Sequence, residues 1–218
     1  TVNPSNPYGT GKSPSIHQSL IIAEGLWSFE NLENEHRFRS FSTRLLNHLR
    51  NCWLKHHFRE LDLDCYVSPK AVIWGRRGIS LGYKTQIQPY ATLQCTRWNQ
   101  FDESCGTLSI GAKTKIQPHA YLHTLGGTIE IGENCSVNPF CMIYGAKGGL
   151  KIGNNVRIAA HTVIIPSNHN FELRDVPITY QQSTSVGITI EDDVWIGTGV
   201  SILDGVVVGT GCVLGAGS

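Results

Sequence analysis

Ile131-Gly132-Glu133-Asn134-Cys135-Ser136-Val137-Asn138-Pro139-Phe140-Cys141-Met142-Ile143 decides the fold. Large aliphatic residues stand six apart at Ile131, Val137 and Ile143, and a small residue follows the first two at a spacing of four, at Cys135 and Cys141. A helix repeats near 3.6 residues and a simple strand near 2, so neither accounts for two inward positions in every six. Three hexads per turn of a triangular parallel β-helix do. The large aliphatic fills the interior of each flat face, and the small residue fits the crowded corner.

The beat extends to both sides. Before this stretch it passes through Leu61, Val67, Ile73, Leu81, Ile87, Leu93, Ile110, Ile116 and Leu122. After it come Ile152, Ile158, Ile164, Ile190, Ile196, Ile202, Val208 and Leu214. The small or β-branched partners are Cys65, Ala71, Thr85, Ala91, Thr114, Ala120, Val156, Thr162, Val194, Val200, Cys212 and Ser218. In every third hexad of five successive coils that partner is lost, to Arg77, Arg97, Gly126, Lys147 and Asn168. Extra residues enter after those same hexads, eleven after the Leu93 hexad and twenty after the Ile164 hexad. Solenoid insertions gather on one edge, often the binding edge, so function is expected along that corner.

The solenoid accounts for residues 61–218, preceded by a polar tail over 1–13 and a helical segment over 14–60. Net charge is +1, so no global field selects nucleic acid. Seven cysteines show no disulfide-framework spacing, and four take small interior positions, as expected for reduced thiols in a cytoplasmic protein. Cys95 and Cys105 are close enough in sequence to pair, although free loop thiols are the commoner case. No apolar run approaches the roughly 18–20 residues of a membrane span, and Thr1–Ser13 has no secretory pattern.

Ser13-Pro14 is a good helix start, with Ile16, Leu20, Ala23 and Trp27 at helical spacing. A second helix is expected from about 36 to 58, with Phe38, Phe41, Leu45, Leu49, Cys52 and Trp53 on one side. Its basic residues, Arg37, Arg39, Arg44, Arg50, Lys55 and Arg59, occupy much of the rest. A helix capping one end of the prism is favoured over one lying on anionic lipid through 36–59. The aromatic residues turn away from the charges, which disfavours a nucleic-acid stacking platform.

The longest insertion opens with Ser167-Asn168-His169-Asn170-Phe171. An imidazole titrating near neutral pH suits a general base, so His169 is the candidate catalytic residue. This motif resembles the hexapeptide-repeat acyltransferases. So do Pro177-Ile178, Gln181, Ile190-Glu191-Asp192-Asp193-Val194-Trp195-Ile196-Gly197, Ile202-Leu203-Asp204-Gly205-Val206 and Gly215-Ala216-Gly217-Ser218. The chain is most similar to the maltose and galactoside O-acetyltransferases and those of bacterial polysaccharide synthesis. The resemblance implies a mainly β, left-handed parallel β-helix forming a homotrimer with inter-subunit sites. It also implies acetyl-CoA as co-substrate, no metal, and a sugar hydroxyl of a saccharide or saccharide-lipid as acceptor, an amino sugar being the alternative.

By the same resemblance His169 is the general base, Asn138 and Tyr144 face the acceptor, and Trp195, Thr198 and Ala216 line the pantetheine arm. Tyr144-Gly145-Ala146-Lys147 departs from the pattern by lacking the acidic residue some sugar acetyltransferases place there. Relatives continue past the Gly-Ala-Gly-Ser with a Thr-Lys pair and a tail that touches the coenzyme. Two other readings stand beside this one. A zinc enzyme of the γ-type carbonic anhydrase kind would use His119, His123 and His161, although the paired-histidine hexad of that family is missing. A non-catalytic scaffold would tolerate replacement of His169.

Overall fold

The structure, a computed structural model, describes residues 41–96 and 106–218. The chain divides into two compact units, residues 1–46 and 47–218. The expected helix that starts at Ser13-Pro14, the start of the second helix and Cys105 lie outside the described residues.

Residues 60–218 wind as a triangular parallel β-helix with two seven-stranded faces and one six-stranded face. The hexads stack in register. On the first face Leu61, Leu81, Ile110, Ile131, Ile152, Ile190 and Val208 lie over one another. Val67, Ile87, Ile116, Val137, Ile158, Ile196 and Leu214 do so on the second. Ile73, Leu93, Leu122, Ile143, Ile164 and Ile202 form the column of the third. All are buried except Ile73 and Leu214, which are half-buried. Those two stand on the first and last coils, each with only one neighbouring coil to cover it. Ala71, Cys212 and Ser218, the corner residues that are not buried, are on the same two coils.

Two corners are tight turns built on residues of positive φ. Tyr90, His119, Phe140 and His161 hold φ of 64, 63, 62 and 61° at the corner between the second and third faces. This backbone region disfavours most side chains, and here the four rings stack along the edge. Tyr90–His119, His119–Phe140 and Phe140–His161 centroids are 5.1, 5.2 and 5.2 Å apart. The third corner carries the insertions, and its coils approach closely: a Cβ on Gly127 would come within 1.4 Å of the Ala146 carbonyl oxygen.

Helix α1 spans Phe41–Leu54 and continues into a 3-10 turn over Lys55–His57. Its apolar side is not covered as the sequence pattern predicts, for Leu49, Cys52 and Trp53 are exposed and Asn51 is fully buried. The reason is hydrogen bonding. The first coil has no earlier coil to pair with, which leaves its outermost carbonyls without partners. Asn47 and Asn51, one helical turn apart, donate to the Cys65 carbonyl at 2.9 and 2.6 Å, and Asn51 also reaches Leu63 at 3.1 Å. The helix caps the open end of the prism with amides, and the core closes behind them with Leu54 and Phe58. Among the described residues, no helix is long and apolar enough to cross a membrane.

Candidate functional site

The third-face strand Val163–Ile165 ends at Pro166, and the chain leaves the prism there. Asn168–His169 then pairs antiparallel with Ser183–Thr184, setting His169 opposite Ser183. Asn170 N–H donates to the Gln182 carbonyl at 3.0 Å and extends the pairing. Gln181 gathers the tip: its amide donates to the Leu173 and Val176 carbonyls at 3.0 and 2.8 Å and its oxygen accepts from Leu173 N–H at 3.2 Å. The insertion is therefore a closed hairpin. His169 is exposed on it, and its ring makes no hydrogen bond among the described residues.

Tyr144 ends a third-face strand at the same corner, half-buried. It heads a polar and aromatic cluster on the outer side of that face. Tyr121 and His123 rings lie 5.9 and 6.4 Å from it. Tyr121 Oη donates to Gln94 Oε1 at 3.1 Å and stands 3.2 Å from His123 Nδ1. Gln94 Nε2 donates to Thr96 Oγ1 at 3.1 Å, and His123 Nε2 lies 3.4 Å from that hydroxyl. Burial holds the His123 imidazole below its ordinary pKa, against a smaller opposing effect of the Thr96 backbone. Burial likewise pushes the Tyr144 and Tyr121 phenols up. The sequence reading names His123 only for the zinc alternative and does not place Tyr121 or His123 beside Tyr144. In the register His123 shares an outward column with Trp74, Gln94 and Tyr144, and Tyr121 stands in the neighbouring column with Val72, Thr92 and Met142.

The other candidates stand at the corner between the second and third faces. Trp195 projects from the second face, 40 % exposed. Thr198 Oγ1 donates to the Ala160 carbonyl at 2.7 Å, and Gly217 N–H, next to Ala216, donates to the Thr198 carbonyl at 2.9 Å. Asn138 follows Val137, whose column partner two coils on is Ile196, so it lies about 10 Å along the axis from Gly197 at strand spacing. Its side-chain oxygen accepts from Ser136 Oγ at 3.0 Å. One chain thus brings Trp195, Thr198 and Ala216 together with Asn138 nearby, and sets His169 and Tyr144 along a different edge.

The three histidines of the zinc reading are separated. His119 and His161 sandwich Phe140 at the aromatic corner, and His123 is buried on the third face. Among the described residues no three His, Cys, Asp or Glu side chains gather as a ligand set. Cys65 is buried, and burial together with nearby Asp62 pushes its thiol up to about 12. Burial raises the Cys141 thiol to about 11 and raises that of Cys135 as well. These cysteines fill corners and are poor nucleophiles.

Residues 187–218 match the bacterial transferase hexapeptide family model (six repeats). Among solved structures the chain is similar to AntD, an N-acyltransferase from Bacillus cereus. It shares 21% identity with AntD in complex with dTDP and 3-hydroxybutyryl-CoA, over 77% of this chain and 74% of that one, with a TM-score of 0.45. A variant of AntD with dTDP-4-amino-4,6-dideoxyglucose and coenzyme A gives 20% identity over 77% and 76%, with a TM-score of 0.48. No curated protein matches the chain.

Proposed function

We propose that this protein is an acyltransferase that moves an acetyl group from acetyl-CoA to a sugar hydroxyl of a saccharide or saccharide-lipid. The observation that carries the reading is the placement of His169. Its imidazole stands in solvent on a closed hairpin at the insertion edge of a prism whose last coils match a transferase repeat. His169 takes the proton of the acceptor hydroxyl as that oxygen attacks the thioester carbonyl. The carbon–sulfur bond then breaks, and the sulfur leaves as the CoA thiol after taking up the proton. Because the thioester is already activated, the chain need supply only the base, the alignment of the reactants and donors to the carbonyl oxygen.

Tyr144 and Asn138 face the acceptor in this reading, and Trp195, Thr198 and Ala216 line the coenzyme arm. These groups stand on two edges of one prism, so the complete site lies between neighbouring copies in a homotrimer. Val72, Trp74, Met142 and Leu203 expose apolar surface on the third face, which supports burial of that face against another copy. The test is release of free CoA thiol from acetyl-CoA in the presence of saccharide acceptors, run on wild type and on His169→Ala. Turnover should fall about 10²–10⁴-fold in the variant with coenzyme binding kept. Undiminished turnover would exclude His169 as the base. Transfer only to amino sugars would make the enzyme an N-acetyltransferase.

A further inference from the structure

Among the described residues, hydrogen bonds fasten the insertion carrying His169 to the prism around Ser185 and Asp204. Ser185 Oγ donates to the Pro166 carbonyl, where the chain leaves the prism, and accepts from Gly148 N–H at 2.7 Å. One residue on, Val186 N–H donates to both carboxylate oxygens of Asp204 at 2.9 Å, and Gly187 N–H donates to Asp204 Oδ1 at 2.8 Å. Gly205 N–H returns a bond to the Gly187 carbonyl at 2.9 Å. The outgoing chain, the returning chain, the coil before and the coil after therefore meet at Ser185 and Asp204.

The solenoid itself does not call for a carboxylate here. The residue following the third-face strand is Gly75, Cys95, Thr124, Gly145 and Pro166 on the other coils, and Asp204 only on the coil that receives the returning insertion. A carboxylate accepting from backbone N–H groups makes charge-assisted bonds, stronger than the neutral bonds elsewhere on this edge. What it holds is two residues from the strand that matters. Ser183–Thr184 is the only strand paired with Asn168–His169 among the described residues, and it runs directly into Ser185, Val186 and Gly187.

We propose that Asp204, assisted by Ser185, is a positioning residue for His169. It fixes the return of the hairpin, so that the Ser183–Thr184 strand keeps register and holds the imidazole in one place over the insertion edge. The proposal rests on the reading of His169 as general base. A base carried on a hairpin fastened only by its own pairing would wander, and a displacement of about 1 Å can cost 10²-fold in rate. Asp204 touches no reacting atom in this account and acts only through the hairpin.

The experiment compares wild type, Asp204→Ala and Asp204→Asn by hydrogen exchange and by steady-state acetyl transfer. In Asp204→Ala the amides of residues 183–187 should exchange about ten-fold faster or more, with the second-face strands unchanged. Its kcat should fall about ten-fold or more, with the KM for acetyl-CoA within about two-fold of wild type. Asp204→Asn keeps the Oδ1 acceptor that serves both N–H groups, and should recover most of the protection and most of the kcat. Unchanged exchange in Asp204→Ala, or a released hairpin with kcat intact, would overturn the proposal. If wild type transfers no acyl group, the acyltransferase reading fails separately, and the exchange measurement still decides whether Asp204 holds the hairpin.

Discussion

The imidazole of His161 lies parallel to the ring of Phe140, with planes 8° apart and centroids 5.2 Å apart. Phe140 is stacked in the same way on His119 from the coil before. The stack follows from the coil geometry: each turn puts one residue at the same corner in the same left-handed backbone state, so the side chains superimpose at strand spacing. Phe140→Ala removes two stacked pairs and leaves the backbone state unchanged. At about 0.5–1.5 kcal/mol per aromatic pair, the loss should be about 1–3 kcal/mol, read from urea unfolding of the purified protein. A variant as stable as wild type would mean that the exposed rings contribute nothing to the fold.

His123 gives a pH dependence with a definite sign. Burial depresses its folded-state pKa below the unfolded value near 6.5, so the unfolded chain binds the extra proton first. Its contribution to stability is complete above that value and is lost as pH falls toward and through the folded value. Unfolding free energies at pH 7.5 and pH 5 should differ more for wild type than for His123→Gln. An equal difference in the two proteins would remove His123 from the acid sensitivity.

The cysteines should divide by burial. Cys65, Cys135 and Cys141 are enclosed with raised thiol pKa values, whereas Cys52 and Cys212 are exposed. Iodoacetamide at pH 8 should label Cys52 and Cys212 in the folded protein, and the three corner cysteines only after denaturation. Peptide mapping reads the result, and labelling of Cys135 or Cys141 in the native state would contradict the packing.

The prism was legible because its rule is periodic. Ile131, Val137 and Ile143 announce three faces, and every column the pattern implies is present in the register. The placement of the insertions was legible for the same reason, since Arg77, Lys147 and Asn168 break the small-residue rule on one corner only. Helix α1 was less legible. A hydrophobic stripe says which side prefers cover, but Asn47 and Asn51 answer a need set by the unpaired carbonyls of Leu63 and Cys65, which only the assembled coil reveals. Asp204 and Ser185 escaped for a similar reason. Their partners lie on other coils, and although Asp204 falls in the Ile202–Val206 stretch that carries the resemblance, the stretch does not say what its carboxylate holds.

Binding of acetyl-CoA is read by calorimetric titration, which needs no knowledge of the acceptor. Saturable binding is expected, retained in His169→Ala and weakened when Trp195 or Ala216 is replaced by a residue that fills the coenzyme arm's path. Absence of saturable heat with both acetyl-CoA and CoA would contradict that expectation and leave the β-helix without its proposed co-substrate.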